Sequence, residues 1–255
     1  MIDMHTHILF GVDDGPETIE DTMRMLEKAA SEGITDIIAT SHAFNPHYHV
    51  PRTTIEGQLT LLADAVQSAG IPVKLHPGQE VRLCEDLIEK IEAEEALLLA
   101  NSNYLLLELP TQSVPAYTTA IIQSLLEKEI IPIIAHPERN RAIAEKPARL
   151  ERLVRNGALA QITAGSVAGH FGKTVQKISL QLIESNLIHT YGSDVHNLDT
   201  RPFLFEKGLN LLEKKRFHAE AELLLANNER ILTNDTLVIL EPELIIPKKW
   251  WNIKK

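Results

Sequence analysis

The chain has 255 residues, 44% of them hydrophobic but only 5% aromatic, and a formal net charge of −10. That charge argues against nonspecific adhesion to nucleic acid, whose phosphates demand a basic surface, and no apolar run approaches the roughly 20 residues that cross a bilayer. A single cysteine, Cys84, excludes an intramolecular disulfide framework and a thiolate metal cage; beside Glu85 and Asp86 it reads as an ordinary thiol.

The opening Met1-Ile2-Asp3-Met4-His5 carries no basic leader or apolar signal core, which predicts a cytoplasmic protein. The first strand spans Ile2–His5 and ends in His5-Thr6-His7, whose two imidazoles share a face because residues two apart in a strand project together. The next loop holds Asp13-Asp14-Gly15, followed by an amphipathic helix over Thr18–Ser31 with Gly33 as its C-terminal cap. A second strand, Ile34–Thr40, delivers His42. After it, the proline-flanked loop Phe44–Pro51 holds His47 and His49, read as surface or substrate-facing, with Phe44 and Tyr48 placed to border an entrance and stack on an aromatic ring.

The pattern then repeats. A helix over Thr54–Ala69, capped by Gly70, leads to the strand Val73–Pro77, which delivers Glu80. A helix over Cys84–Ala93 leads to Tyr104–Leu109, which contains Glu108; a helix over Ala116–Lys128 leads to Ile131–His136, with Arg139 just beyond. The helix Pro147–Asn156, capped by Gly157, precedes the strand Leu159–Thr163. The helix Val175–Glu184 precedes the strand Ile188–Ser193, which delivers Asp194 and His196, with Arg201 beyond them and a last helix over Pro202–Lys214. His76, His170, His189 and His218 read as structural or surface histidines. The basic, aromatic stretch Lys248–Lys255 looks appended.

Strand and helix in alternation imply parallel strands joined by right-handed crossovers, and seven such units can close into a TIM-like barrel. The expectation is an α/β (β/α)7 barrel in a single domain, residues 1–247, followed by the tail 248–255; an open doubly wound sheet is the alternative. No Gly-x-Gly-x-x-Gly follows the first strand, against a dinucleotide site.

Working sites of such barrels lie where the strands exit, and six of the seven strand ends offer a metal-type ligand. Glu108 is informative because a carboxylate inside an apolar run costs several kcal/mol unless a metal or a basic partner compensates. Imidazole and carboxylate without thiolate suit manganese, iron or zinc, with magnesium less suited to the nitrogen content. His5, His7, Asp14, His42, Glu80, Glu108, His136, Asp194 and His196 are too many for one ion but enough for two or three if Glu80 bridges. Asp13 is the alternative to its neighbour Asp14. Arg139 and Arg201, close after ligands, have the planar fork that grips phosphate.

At these residues the sequence resembles the PHP superfamily of metal-dependent phosphoesterases, and more closely the bacterial protein-tyrosine phosphatases of capsule and exopolysaccharide operons, the CpsB/YwqE group. The markers are Ile2 to His7, Val12 to Pro16, Pro77 to Glu80, His136 to Arg141, Gln161 to Ser166 with Phe171-Gly172-Lys173, and Ser193 to Asn197. The resemblance implies a distorted seven-stranded barrel with three divalent ions, manganese first among them. One ion would take His5, His7, Glu80 and Asp194, a second Glu80, Glu108 and His136, and a third Asp14, His42 and His196. Arg139 and Arg201 would hold the phosphate, and His42 or His196 would assist proton transfer. The implied reaction is attack of a metal-bridging hydroxide on phosphotyrosine in a protein, the tail of a membrane-attached bacterial tyrosine kinase. The Lys/Trp tail suggests peripheral membrane contact. Competing readings are histidinol phosphatase or another PHP phosphoesterase, an amidohydrolase, and an idle metal protein that sequesters phosphotyrosine.

Overall fold

Strand-like runs and amphipathic stretches alternate in the computed structural model as the sequence predicts, and all strand pairing in it is parallel. It describes residues 1–243; the tail 248–255 and the last residues of the expected domain lie outside the described residues. The strands are β1 (Ile2–Thr6), β2 (Asp36–Ala39), β3 (His42–Ala43), β4 (Lys74–Pro77), β5 (Glu80–Arg82), β6 (Tyr104–Glu108), β7 (Ile131–Ile134), β8 (Leu159–Thr163) and β9 (Thr190–Gly192).

The expected second and third strands end at Ala39 and Pro77, and past interruptions at Thr40-Ser41 and Gly78-Gln79 each is followed by a short strand absent from the predicted elements, β3 and β5. The reason is side-chain competition for the backbone: Thr40 Oγ1 accepts from Thr6 N at 2.9 Å, and Gln79 bonds Val50 O through Nε2 at 2.7 Å and Leu97 N through Oε1 at 2.8 Å. The ladders therefore fall into a three-stranded sheet, β1-β2-β4, and a curled six-stranded sheet, β3-β5-β6-β7-β8-β9. The expected single seven-stranded ladder is replaced by these two sheets. They meet at both seams, since Glu80 N donates to Thr40 O at 3.1 Å and, past β9, Asp194 N donates to His5 O at 2.8 Å. Gly192 permits that second approach: a Cβ there would lie 2.8 Å from the Cβ of His5.

The helices are α1 (Ile19–Ser31), α2 (Arg52–Ala69), α3 (Leu87–Glu92), α4 (Thr118–Glu127), α5 (Arg141–Glu145), α6 (Ala148–Arg155), α7 (Ala164–Val167), α8 (Lys173–Glu184), α9 (Phe205–Lys214) and α10 (His218–Thr233). Thr18 and Asp21 form a capping box at the start of α1. Along β6 the side chains alternate: Leu105 and Leu107 join the large core shared with the helices, while Tyr104 and Leu106 join a second cluster with Met4, Ile38, Ile133 and Leu159.

Helix α10 has no counterpart among the predicted elements, which end at Lys214. Its inward face carries Asn227 and Asn228, both fully buried, where an apolar stripe would be expected. They bind strand backbone: Asn228 Nδ2 donates to Ile2 O at 2.9 Å and Tyr191 O at 2.6 Å, and Asn227 Nδ2 to His189 O at 2.9 Å. The helix thus ties β1 and β9 together at the end opposite the ligand-bearing loops.

Candidate metal centre and its arginines

Past the exits of the strands, side chains from both ends of the chain converge. Asp194 Oδ1 lies 3.3 Å from His5 Nε2 and 3.6 Å from His7 Nε2. Glu80 Oε2 lies 3.6 Å and 3.4 Å from the same two nitrogens. These four residues are buried, and His5 Nε2, His7 Nε2 and Asp194 Oδ1 have no hydrogen-bond partner among the described residues. Unpartnered buried donors and acceptors are costly. Atoms facing one another at such distances match the edges of a tetrahedron, about 3.4 Å for ligands about 2.1 Å from a common ion.

A second group lies beside the first. Asp14 Oδ1 stands 3.4 Å from His42 Nε2 and 3.2 Å from His196 Nε2, and Asp14 Oδ1 and His196 Nε2 are likewise unpartnered. Between the groups, His42 Nδ1 approaches Glu80 Oε2 at 3.1 Å and His136 Nε2 meets Glu80 Oε1 at 2.7 Å. Glu108 sits with His42 and Glu80. Its carboxylate already has partners, Arg82 Nη1 at 2.9 Å and Asn45 Nδ2 at 3.3 Å, so a basic residue and an amide share the compensation of its burial. All nine residues singled out as ligands are brought together, and Glu80 belongs to two of the groupings and meets the third through His42.

The adjacent aspartates have different tasks. Asp13 Oδ2 accepts from His7 Nδ1 at 3.0 Å and Oδ1 from Gly15 N at 3.0 Å, leaving Nε2 of His7 to face Glu80 and Asp194. Asp14 is the one that projects into the cluster. His5 is oriented by Gln161, whose Oε1 accepts from its Nδ1 at 3.1 Å and from His136 N at 3.2 Å. His196 Nδ1 donates to Asp194 O at 3.0 Å. Hydrogen bonds of this kind fix which imidazole nitrogen faces a metal. Gln161 is fully buried on β8 and was assigned no role in the sequence; a buried amide in an apolar run is the same signal that made Glu108 informative. We expect Gln161→Leu to lower manganese affinity about 10- to 100-fold, measured by calorimetry; an unchanged affinity would remove it from this role.

The electrostatics favour cations. Burial alone would raise the Glu80 carboxyl, but the neighbouring His5 and His136 hold it well below the usual carboxylate range. Burial is likewise outweighed at Asp194, chiefly by Arg139 and His5, and at Asp14, by His196 and His42. Asp13, with Glu80, overcomes burial to push His7 up to about 9, and Asp14 and Glu80 push His42 up to about 11. Burial lowers His136 and His196 to about 4, aided by Arg139 and His7 respectively. Burial and the nearby Glu80 raise Glu108. An anionic field that retains protons on imidazoles also attracts divalent ions, which displace those protons on binding.

Arg139 and Arg201 both reach Asp194. Arg139 Nη2 donates to Asp194 Oδ2, and Arg201 donates through Nη2 to the same oxygen and through Nη1 to Asp14 Oδ2, each at 3.1 Å. His136 and Asp194, at the heads of the segments bearing these arginines, have positive φ values of 33° and 54°, and a non-glycine residue in that region marks strain that functional sites concentrate. A cavity of roughly 370 Å³ opens over the site, lined by His42, Tyr48, Glu108, His136, Arg139 and Arg201 among others. Tyr48 stacks on His42 at 5.9 Å with a 12° interplanar angle. Phe44 departs from its expected place at the entrance: its ring lies against His49 and under Lys90 Nζ. His47 lines the cavity, His76 pairs with Asp36 at 2.9 Å, and His189 Nδ1 accepts from Ala160 N at 3.1 Å.

Parallel strands that end in converging imidazoles and carboxylates, with two arginines on one ligand carboxylate, define an α/β protein with the donor set of a metallohydrolase. Residues 1–233 match the family model described as capsular polysaccharide synthesis, CpsB/CapC, and the chain belongs to that family. It is 38% identical to CapC of Staphylococcus aureus, with 98% of each chain covered, and 39% identical to the tyrosine-protein phosphatase YwqE of Bacillus subtilis (strain 168), with 95% of each covered. Among solved structures, it superposes with a TM-score of 0.94 and 39% identity on a chain from a crystallographic study of YwqE and of CpsB from Streptococcus pneumoniae, described as metal-dependent tyrosine phosphatases. The match covers 96% of this chain and 100% of that one. A β-aspartyl dipeptidase from Fervidobacterium islandicum, at 12% identity and a TM-score of 0.55, shares the fold alone.

Proposed function

We propose that this chain is a metal-dependent protein-tyrosine phosphatase of capsule or exopolysaccharide synthesis, acting in the cytoplasm on phosphotyrosine of a membrane-attached bacterial tyrosine kinase. The observation that carries the reading is the meeting of unpartnered, buried His5, His7 and Asp194 atoms around Glu80, with Arg139 and Arg201 on the far oxygen of Asp194. His5, His7, Glu80 and Asp194 would hold one divalent ion, Glu80, Glu108 and His136 a second, and Asp14, His42 and His196 a third. Manganese is the first choice of ion. When bound, such ions would supply positive charge at the phosphate and lower the pKa of water.

Arg139 and Arg201 bind the phosphate oxygens by exchanging part of their hold on Asp194 and Asp14 for the substrate, and their fixed forks set its orientation. Tyr48, flat against His42, forms a wall for the substrate's phenyl ring. Phenolate departs readily, so no dedicated general acid is required; His42 and His196 are close enough to the cluster to assist proton transfer. The two hydrogen-bonded seams between the sheets support reading the fold as a distorted seven-stranded barrel. The domain would run through residue 247, with the tail 248–255 reaching toward anionic lipid.

The test is turnover with added manganese, read as phosphate release from matched phosphotyrosine and phosphoserine peptides and histidinol phosphate, and as ring opening of a lactone. Selective turnover of the phosphotyrosine peptide is expected. Preference for histidinol phosphate, turnover of the lactone alone, or peptide binding without release would each replace this reading with one of its rivals.

A further inference from the structure

The loop between α7 and α8 carries His170 and Phe171 side by side, and their rings turn to the two different arginine segments. His170 Nε2 donates to Thr200 O at 2.8 Å, the carbonyl immediately before Arg201. Phe171 lies under the Arg139 guanidinium, 5.3 Å from Cζ to the ring centroid. The rings meet edge to face, with centroids 5.1 Å apart.

Both ends of this connection are braced. His170 N donates to Gly165 O at 2.9 Å and Gly172 N to Gly169 O at 3.1 Å. The φ values of Gly169 and Gly172, +83° and +93°, close the turn, and a Cβ on Gly165 would lie 3.1 Å from Phe171 Cε2. On the other side, Asn197 Oδ1 gathers the amides of Asp199, Thr200 and Arg201 at 3.1, 2.7 and 3.1 Å. The Thr200 carbonyl is therefore held in place to accept the His170 bond. Arg139 ends a short helical turn, Pro137–Arg139, pinned to β8 by Glu138 Oε1, which accepts from Thr163 N at 3.2 Å.

We infer that His170 and Phe171 are positioning residues that set the spacing of the two phosphate-binding arginines, His170 acting through the Thr200 carbonyl on Arg201 and Phe171 through its ring face on Arg139. The inference rests on the proposed phosphate role of those arginines. Two long side chains arising 62 positions apart in sequence would each lose rotamer freedom on gripping one small anion. A single rigid loop that restrains both lowers that cost before substrate arrives. Phe171 also gives the Arg139 guanidinium a π face beside its bond to Asp194.

The experiment measures binding of inorganic phosphate to the manganese-loaded protein by calorimetry, which needs no turnover. His170→Ala and Phe171→Leu are each expected to weaken phosphate roughly threefold to thirtyfold with manganese content unchanged. His170→Gln, which keeps a donor for Thr200 O, and Phe171→Tyr, which keeps the ring, are expected to restore it. In double-variant cycles the effect of His170→Ala should disappear on an Arg201→Ala background, and that of Phe171→Leu on an Arg139→Ala background. Full additivity in both cycles, or wild-type phosphate affinity in His170→Ala and Phe171→Leu, overturns the inference while leaving the arginine reading intact. Normal phosphate affinity in both single arginine variants overturns the arginine reading and the inference together.

Discussion

Glu80→Gln is expected to abolish turnover, by about a thousandfold or more, and to deplete the protein of bound manganese, because this carboxylate belongs to two groupings and touches the third through His42. Its Oε2 lies near His5, His7 and His42, and its Oε1 bonds His136 Nε2. Glutamine preserves shape and keeps one acceptor but removes the charge that would bridge two ions, and the electrostatic contribution of such a pair to phosphoryl transfer is several kcal/mol. The fold should persist, since the anion lies in a polar cluster at the strand exits rather than in either apolar core. Metal content by mass spectrometry, circular dichroism and phosphate release, measured together, check this. Full activity with full metal content would mean that Glu80 is no bridge.

Arg139→Ala is expected to cut kcat/KM by about a hundredfold to a thousandfold, the effect of removing one preorganised donor to developing charge, without weakening manganese binding. The two parts of that expectation have the same source. Arg139 touches no candidate ligand atom other than Asp194 Oδ2, the oxygen opposite the one facing His5 and His7, so its loss leaves the cluster's inward oxygens in place and removes a competing positive charge. Arg139→Lys should recover little, because an ammonium cannot reproduce the two parallel bonds of the guanidinium fork. Steady-state kinetics on a phosphotyrosine peptide decide the point. A variant that loses metal instead would make Arg139 a structural support for Asp194.

The candidate ligands were legible in the sequence because they obey a rule with a physical cause. Each follows an apolar run that can be only a strand or a core helix, and parallel strands project their exit loops to one end. His5, His42, Glu80, Glu108, His136 and Asp194 all follow from it. The short strand β3 beyond Thr40 did not, because His42-Ala43 is too short to carry a strand pattern of its own. Helix α10 escaped because Asn227 and Asn228 occupy the positions where periodicity demands apolar residues; their work is to bond strand backbone. Of the two aromatics expected at the entrance, Tyr48 lines the cavity and Phe44 does not, because a proline-flanked loop gives no indication of which aromatic turns inward. Asp13 and Asp14 could be told apart only by direction, one toward His7 Nδ1 and the other toward His42 and His196.

The same contrast separates ligands from the residues that orient them. Gln161, Arg82 and Asn45 hold His5, His136 and Glu108 through bonds spanning 25 to 156 positions for Gln161, 26 for Arg82 and 63 for Asn45. No local pattern encodes such partners. They emerge only when the curled sheet brings the strand ends together.

The central claim is that these side chains hold divalent ions around Glu80, and an anomalous-difference map from crystals of the manganese-loaded protein tests it most directly. The account predicts one peak bounded by His5, His7, Glu80 and Asp194, a second by Glu80, Glu108 and His136, and a third by Asp14, His42 and His196. A map with no peak beside Glu80, from protein that hydrolyses phosphotyrosine in the same buffer, would contradict it.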